Sequence, residues 1–271
     1  MRPLKRFLAV AALMCAAAVI GAPAIAAGTL TIAAATDLKF AMDEIVAAFR
    51  ASRPEDRIDV IYGSSGKFHT QIRQGAPFDL YFSADIAFAR SLEQAGLAAG
   101  PTRPYAVGRI VLWSNTRDAS RMTLADLADP AVGRIAIANP RHAPYGRRAE
   151  EALRAAGVWE QVQGKLVMGE NIAQTAQYVQ TGNAGIGIIA LALALNPTIA
   201  AAGGHHLIDE RLHQPLEQGF IVTRQAAGNP LARAFADYMS GGEARAVMIR
   251  YGFVLPGEAA REQAPGRGSA R

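Results

Sequence analysis

A predicted strand passes into a predicted helix within Tyr62-Gly63-Ser64-Ser65-Gly66-Lys67-Phe68-His69-Thr70-Gln71-Ile72. The apolar alternation of residues 58–62 indicates the strand, and the unbroken segment from Phe68 to Gln74 indicates the helix. Between them, small residues with hydroxyl groups leave backbone N–H groups free at the start of the helix. These groups add to the positive end of the helix dipole, so the turn suits an anion.

Three other turns have the same character, which gives two such turns in each half of the chain. They are Thr36-Asp37, Pro144-Tyr145-Gly146 and Asn171-Ile172. Any one of them alone is explained as an ordinary helix N-cap, which contributes about 0.5–2 kcal/mol to stability. Four turns at matching positions of two halves predict instead that they face one another around a single anion.

Predicted strands and helices alternate along both halves of the chain. The predicted strands cover residues 29–35, 58–62, 77–82, 107–114, 133–138, 165–168, 185–190 and 218–223. Repeated strand–helix units predict parallel sheets with right-handed crossovers. The fold class is therefore α/β, with two lobes that each contain a mainly parallel sheet flanked by helices.

The division into lobes follows from two crossing segments. Residues 107–114 are predicted as one long strand that leaves the first lobe, and the strand near residue 218 returns to it. We therefore assign residues 28–106 and 217–256 to lobe I and residues 107–216 to lobe II. Ligands of open α/β sheets lie outside the carboxyl ends of the strands. The two sets of strand ends, and the helices that follow them, are expected to converge on a cleft between the lobes.

The first 27 residues are predicted to be a cleaved secretory signal peptide. Three basic residues precede an apolar run at residues 7–20, and an Ala-rich stretch at 22–27 follows. The run is short for a membrane span, which needs about 20 residues. Cys15 is the only cysteine of the chain, and the bulky Met14 before it disfavours a lipoprotein cut at this position. A mature protein without cysteine fits the periplasm and depends on its core and its ligand for stability.

The composition indicates a globular protein with no nucleic-acid partner. The 271 residues suffice for two domains, and 51% of them are hydrophobic. The chain has 28 Lys and Arg against 23 Asp and Glu, and loss of the three basic residues of the signal leaves the mature protein at +2. This small excess does not support a nucleic-acid footprint. Residues 257–271 lack apolar periodicity and are predicted to be a disordered tail.

The four turns offer uncharged donors, which can hold a multiply charged anion because backbone N–H groups are fixed at such turns. A fully deprotonated oxyanion accepts hydrogen bonds only, so it matches a cavity lined by donors. An anion that is too small leaves buried donors unsatisfied, at about 1–3 kcal/mol for each. Asp37 is at odds with this chemistry, because its carboxylate would repel the ligand. We expect its side chain to cap the helix or point away while its N–H faces inward.

Other chemical motifs fail on their spacing. Gly66-Lys67 is followed by Phe68 rather than the Ser or Thr of a phosphate loop, and residues 63–66 are one residue short of a nucleophile elbow. The five histidines lack metal-ligand spacing. Lys67 is expected to be solvated at the lip of the cleft, with attraction of the anion as its alternative role. A hydrolase that uses Ser65 and His69 lacks an evident acid to orient the base.

Several stretches resemble the periplasmic molybdate-binding proteins of ABC-type uptake systems. The resemblance extends over the mature chain to about Leu255 and is carried by Ala33-Ala34-Ala35-Thr36-Asp37-Leu38, Gly63-Ser64-Ser65-Gly66-Lys67, Gly75-Ala76-Pro77-Phe78-Asp79-Leu80 with Ser83-Ala84-Asp85, Ala138-Asn139-Pro140-Arg141-His142-Ala143-Pro144-Tyr145-Gly146, and Arg250-Tyr251-Gly252-Phe253. It implies a two-lobed, type II periplasmic binding protein that closes on one molybdate or tungstate ion, with no cofactor and no enzymatic activity. The resemblance also implies a monomer that delivers the ion to an inner-membrane ABC permease.

The resemblance also implies the site residues. It places hydroxyl contacts at Thr36 and Ser65, with Asp37 and Ser64 beside them, and backbone N–H contacts at Tyr145 and Ile172. Thr36, Ser65, Tyr145 and Ile172 are expected to contact oxygen atoms of the oxyanion and not the metal itself.

One departure from the family pattern concerns selectivity. Some members have a Tyr hydroxyl where this chain has Ala190, so Tyr145 or another donor replaces that contact, or the coordination differs. The alternative function is a receptor for another tetrahedral oxyanion, such as sulfate or phosphate.

Overall fold

The computed structural model describes residues 27–257. The predicted signal peptide and C-terminal tail lie outside this range, apart from their boundary residues 27 and 257. Among the described residues, no helix combines the length and the apolar character that a membrane crossing requires.

The described residues form ten strands and ten α-helices, with short 3₁₀ turns between some of them. The strands are β1 Thr29–Ala35, β2 Arg57–Gly63, β3 Leu80–Ser83, β4 Arg103–Gly108, β5 Ile110–Ser114, β6 Ile135–Ala138, β7 Leu166–Gly169, β8 Ile186–Ala190, β9 Gly204–Leu207 and β10 Leu216–Val222. The helices are α1 Lys39–Ala51, α2 Ser65–Arg73, α3 Ile86–Gln94, α4 Pro144–Ala155, α5 Trp159–Val162, α6 Ile172–Gln180, α7 Leu191–Ala194, α8 Pro197–Ala202, α9 Pro230–Tyr238 and α10 Gly242–Arg250.

The strands form two five-stranded sheets with matching topology. The first has the order β2-β1-β3-β10-β4 and the second the order β7-β6-β8-β5-β9. In each sheet one strand, β10 or β5, pairs antiparallel with both of its neighbours, and the other four strands run in one direction. The predicted α/β class with two mainly parallel sheets is confirmed. Below, lobe I is the part built on the first sheet, and lobe II is the part built on the second.

The crossing from lobe I to lobe II differs from the prediction of one long strand. The structure has two strands, β4 and β5, which belong to different sheets and are separated by Arg109. The Arg109 guanidinium donates to the carbonyl oxygen of Gly252 at 2.8 and 3.1 Å, and its own carbonyl accepts from the N–H of Leu191. The bond to Leu191 continues the β5–β8 register, whereas the Arg109 side chain binds the segment after α10, so Arg109 marks the point where the chain passes from one sheet to the other.

Each lobe has its own apolar core. The core of lobe I includes Leu38, Phe82 and Phe235, with a second cluster around Phe68 on the other face of the sheet. The core of lobe II surrounds the fully buried Trp113. Most of each core comes from one lobe, although Ala35, Ala84 and Leu216 of lobe I pack against the core of lobe II.

Candidate functional site

The four predicted turns line a single cavity between the lobes. The lining residues are Ala35, Thr36, Asp37, Gly63, Ser64, Ser65, Ala84, Ala143, Pro144, Tyr145, Asn171 and Ile172. Most of them follow the carboxyl ends of parallel strands, namely β1 and β2 in lobe I and β6 and β7 in lobe II. The cavity is small, with a volume of about 10 Å³. No Lys or Arg of the described chain belongs to this lining.

Ser64 and Ser65 have different roles at the start of α2. Ser64 is the N-cap, and its hydroxyl donates to the carbonyl oxygen of His142 in lobe II at 3.1 Å. The Ser65 Oγ accepts the N–H of Ala84 at 3.0 Å, so its own proton is left to donate. Within residues 27–257, neither that proton nor the Ser65 backbone N–H has an acceptor. Ser65 therefore presents two donors.

Thr36 presents a hydroxyl donor in the same way. Its Oγ1 accepts the N–H of Ala173 from lobe II at 3.3 Å, and its own proton has no acceptor among the described groups. The expected N-cap role of Thr36-Asp37 is wrong. Residues Thr36–Leu38 form a 3₁₀ turn that precedes α1, and no side chain caps either helix. The chain bends before α1 begins, which places both residues against lobe II.

Tyr145 and Ile172 contribute their backbone from lobe II. Ile172 is the first residue of α6, and Tyr145 is the second residue of α4, after Pro144. In the described part of the chain, neither backbone N–H has a hydrogen-bond partner, as is usual in the first turn of a helix. Asn171 caps α6, because its side-chain oxygen accepts the N–H of Gln174 at 3.0 Å. This oxygen therefore does not accept the Ile172 N–H. With Thr36 and Ser65, these groups give the cavity at least five uncommitted donors within the described residues, three N–H groups and two hydroxyls.

Asp37 is the one ionisable acid in the cavity, and it is 1% exposed. Its Oδ2 accepts from the Tyr145 hydroxyl at 3.1 Å and from Gln218 Nε2 at 2.8 Å. Burial raises the pKa of Asp37 to about 6, and the hydrogen bonds from Gln218 and Tyr145 offset only part of this rise. The side chain thus joins the two lobes rather than capping a helix.

Further contacts between the lobes lie next to the cavity. The N–H of Gly66 donates to the carbonyl oxygen of His142 at 2.9 Å, and a Cβ at Gly66 would lie only 2.8 Å from that oxygen. This close approach requires glycine at position 66. Lys67 is exposed, as expected, and it also forms an ion pair with Glu170 of lobe II, whose side chain is likewise about half exposed.

Sequence reasoning missed the partners of these residues. Gln218 and Glu170 carry no motif, and His142 stands in a family stretch that gives no sign of its contact with Ser64. Each lies far along the chain from its partner in lobe I. A polar residue at the start of the predicted returning strand was the available signal for Gln218.

The structure does not bring together the residues of the hypothetical hydrolase, Ser65 and His69. His69 Nε2 lies 2.7 Å from the Ser91 hydroxyl, and Ser65 Oγ is paired with the Ala84 N–H. The described residues also hold no cluster of three or more potential metal ligands. The arrangement can hold an anion by hydrogen bonds, and it lacks the base that Ser65 would need as a nucleophile.

Comparison with protein-family models gives a match over residues 30–254 to the family described as bacterial extracellular solute-binding protein. The chain belongs to this family. The predicted class, a solute-binding protein rather than an enzyme, is confirmed at the level of the family.

Individual relatives agree with this assignment. The chain is 34% identical to the molybdate-binding protein ModA of Azotobacter vinelandii over 230 residues, which cover 84% of this chain and 91% of the relative. It is 32% identical to ModA of Rhodobacter capsulatus over 234 residues, 84% of this chain and 89% of the relative. The solved structure of the Azotobacter vinelandii periplasmic molybdate-binding protein superimposes with a TM-score of 0.78 at 30% identity, covering 84% of this chain and 99% of that one. The resemblance to molybdate-binding proteins is confirmed.

The position of the family's Tyr hydroxyl is filled by Ala190, which is fully buried at the end of β8. The Tyr145 hydroxyl was expected as one possible replacement, but it donates to Asp37. The replacement donor is therefore not the Tyr145 hydroxyl in this arrangement.

Proposed function

We propose that this protein is an extracytoplasmic receptor that binds molybdate, or tungstate, in the cavity between its lobes and delivers it to an ABC permease. The observation that carries the proposal is the set of five uncommitted uncharged donors around one small cavity. The names of the relatives, molybdate-binding proteins at 32–34% identity, supply the identity of the oxyanion.

In the proposed complex, both lobes contact the anion. The hydroxyls of Thr36 and Ser65 and the N–H groups of Ser65, Tyr145 and Ile172 donate to the oxygen atoms, and none of these groups ligates the metal. The N–H donors stand at the starts of α2, α4 and α6, so three helix dipoles also favour the negative charge. A bare dianion is thereby stabilised without a cation, and binding requires the lobes to be together.

One observation favours a second candidate, hydrogen phosphate. Asp37 Oδ1 is buried without a partner in residues 27–257, and as a carboxylate oxygen it would accept the proton that a hydrogen phosphate carries. Molybdate has no such proton at neutral pH. The two candidates therefore require opposite protonation states of Asp37.

The proposal includes the processing and organisation of the chain. Residues 1–27 act as a signal peptide that is cleaved on export to the periplasm, and residues 257–271 form a disordered tail. The lobes move as units whose boundaries lie at Gly108 and Leu216, not at the predicted 106/107 and 216/217, because all of β4 and β10 belongs to the first sheet. The mature protein is a monomer. The family description, extracellular, and the periplasmic location in the name of the Azotobacter protein support export.

The test is calorimetric titration of the mature protein with molybdate, tungstate, sulfate and phosphate, paired with thermal unfolding. A ligand at 100 times its dissociation constant adds about 2.7 kcal/mol to the free energy of unfolding, and this raises the melting temperature of a domain of this size by roughly 5–10 °C. We expect molybdate and tungstate to give this shift and sulfate to give far less. An equal or larger shift with sulfate, or tighter binding of phosphate, would contradict the assignment.

A further inference from the structure

Three buried polar side chains join the two lobes next to the cavity. Asp37 follows β1 and Gln218 lies on β10, both in lobe I, whereas Tyr145 lies on α4 of lobe II. Gln218 Nε2 donates to Asp37 Oδ2 at 2.8 Å and lies 3.1 Å from the Tyr145 hydroxyl oxygen, which itself donates to the same Oδ2. Both hydrogen bonds to Asp37 thus end on one oxygen.

The backbone is shaped to admit this trio. Gly108 is the last residue of β4, where the chain leaves lobe I. A Cβ at position 108 would overlap the Tyr145 hydroxyl and lie 2.6 Å from Gln218 Nε2. The absence of a side chain at Gly108 therefore leaves the space in which the two groups meet Asp37.

One oxygen of the Asp37 carboxyl group has no donor. Asp37 Oδ1 and Gln218 Oε1 are both buried without a hydrogen-bond partner among the described residues. Asp37 also forms no ion pair within this part of the chain. A buried charged acceptor without a donor is costly, and a proton on Asp37 Oδ1 removes that charge.

A bound anion would further favour a protonated Asp37. Asp37 lines the same cavity as the five donors proposed to hold the anion. Two negative groups that share one enclosed site repel each other, so one of them takes up a proton. The oxyanion is the ligand of a donor-only cavity, which leaves Asp37 as the group that must become neutral.

We propose that Asp37 is a specificity-determining residue whose side chain is a neutral carboxylic acid when the oxyanion is bound. Binding of a dianion therefore takes up one proton. The inference rests on the proposed function, because it requires the anion to lie in this cavity. A neutral Asp37 also favours an anion without a proton over hydrogen phosphate, because the protonated carboxyl group has no free oxygen that must accept a proton from the ligand.

The groups around Asp37 do not compete with it for the proton that is taken up on binding. The titratable groups that face it are the phenols of Tyr145 and Tyr105, and the pKa of each is raised far above its usual value, first of all by burial. On the elements packed against it, α6 contributes Tyr178 as its only titratable residue and α7 contributes none. The charged groups of α1 and α4 are exposed or paired elsewhere, as in the ion pairs Lys39–Asp43, Glu44–Arg250, Arg147–Asp85, Arg148–Glu151 and Glu150–Arg154. Glu217, the charged residue of β10, is exposed.

The direction of the pH dependence follows from linkage. Burial raises the pKa of Asp37 to about 6 in the protein without ligand, and a bound dianion raises this pKa further. Below about pH 6, Asp37 is protonated in both states and the affinity does not depend on it. Above this pH, binding must take a proton from solution, so the dissociation constant rises by about tenfold per pH unit until the pKa of the complex is reached.

The experiment is a calorimetric titration of the mature protein with sodium molybdate at about pH 7.5, in buffers of different ionisation enthalpy. The wild-type protein is expected to take up close to one proton per anion, and its dissociation constant should rise about tenfold per unit between roughly pH 6.5 and 8. Asp37→Asn should take up none, give a flat profile, and bind more tightly than the wild type at about pH 8. A flat wild-type profile, or unchanged proton uptake in Asp37→Asn, would overturn the proposal.

A matched control concerns His142, whose Nδ1 lies 3.0 Å from the Ser64 hydroxyl at the edge of the cavity. His142→Gln should retain the proton uptake, and its loss in this variant would assign the proton to His142 instead of Asp37. If Asp37→Asn fails to fold, a measurement on the wild-type protein still tests the proposal. Its infrared difference spectrum should gain the C=O band of a protonated carboxyl group when molybdate binds, and a missing band contradicts the proposal.

The same titration separates the two proposals. Failure of the wild-type protein to bind molybdate at any pH would overturn the proposed function. Binding of molybdate without proton uptake would overturn only the role of Asp37. Tight binding of phosphate that disappears in Asp37→Asn would show an ionised, accepting Asp37 and overturn both.

Discussion

The two lobes offer the same number of strand–helix turns to the cavity, but they use different chemistry. Lobe I provides the hydroxyls of Thr36 and Ser65, the Ser65 N–H and the Asp37 carboxyl group, whereas lobe II provides the backbone N–H groups of Tyr145 and Ile172. A hydroxyl contact can be removed by a conservative substitution, whereas an N–H contact is lost only when the backbone itself changes. Lobe I is therefore where selectivity can vary through side chains, and lobe II is a fixed donor surface.

The largest effect is expected from Ile172→Pro. Ile172 is the first residue of α6, and its N-cap Asn171 has an extended backbone, so proline is compatible with the helix at this position. The substitution removes the N–H donor and places the ring where the anion approaches. We expect molybdate affinity to fall by more than about 100-fold, since a hydrogen bond to a charged group contributes about 1.5–3 kcal/mol and steric exclusion adds to this loss.

Ile172→Val is the matched variant, because it changes the same side chain and keeps the N–H. Its affinity should fall far less than that of Ile172→Pro, as measured by calorimetry, with circular dichroism to verify the fold of both. Equal losses in the two variants would mean that the Ile172 side chain, not the backbone of lobe II, carries the contact.

The next largest effects concern the hydroxyls of lobe I. Ser65→Ala and Thr36→Val should each weaken molybdate binding by about 10- to 100-fold, which is the same 1.5–3 kcal/mol for one charged hydrogen bond. Their effects on stability should differ. Ser65 Oγ accepts a buried N–H of its own lobe, from Ala84, whereas Thr36 Oγ1 accepts from Ala173 in the other lobe.

Thermal unfolding without ligand measures that difference. Ser65→Ala should lower the free energy of unfolding by about 1–3 kcal/mol, because the Ala84 N–H stays buried without an acceptor. Thr36→Val should change it much less, since water can reach the Ala173 N–H when the lobes separate. Unchanged affinity in either variant would remove that hydroxyl from the site.

The smallest effect is expected at the rim, where Lys67 of lobe I pairs with Glu170 of lobe II. Both side chains are about half exposed, and such pairs contribute roughly 0–1 kcal/mol. Lys67→Ala should therefore weaken binding by less than about fivefold, and Glu170→Gln should do the same. Titration at low and high salt checks this, because screening should reduce the difference from the wild type. A loss as large as that of Ser65→Ala would show that Lys67 acts on the anion directly.

The success of the sequence predictions depended on how local the signal was. The turn at Ser64-Ser65 and the start of α6 at Asn171-Ile172 are set by residues a few positions apart, so the cavity residues could be named from the sequence. The same reasoning failed at Thr36-Asp37, where the predicted N-cap is a 3₁₀ turn. Contact with lobe II outweighs the local capping preference there. It also failed at Arg109, where a run that is apolar enough for one strand passes from the first sheet to the second.

The amino-acid sequence by itself determined the α/β class and the paired arrangement of turns, because periodicity and helix starts are properties of neighbouring residues. The individual donors were assigned from the resemblance to molybdate-binding proteins. Only the tertiary structure decided which distant groups meet at the cleft. Asp37 and Gln218 lie 181 positions apart within lobe I, and Asp37 and Tyr145, 108 positions apart, lie in different lobes. No local pattern encodes such pairs, because the first forms only in the folded lobe I and the second only when the two lobes meet, and burial there changes the protonation chemistry of Asp37.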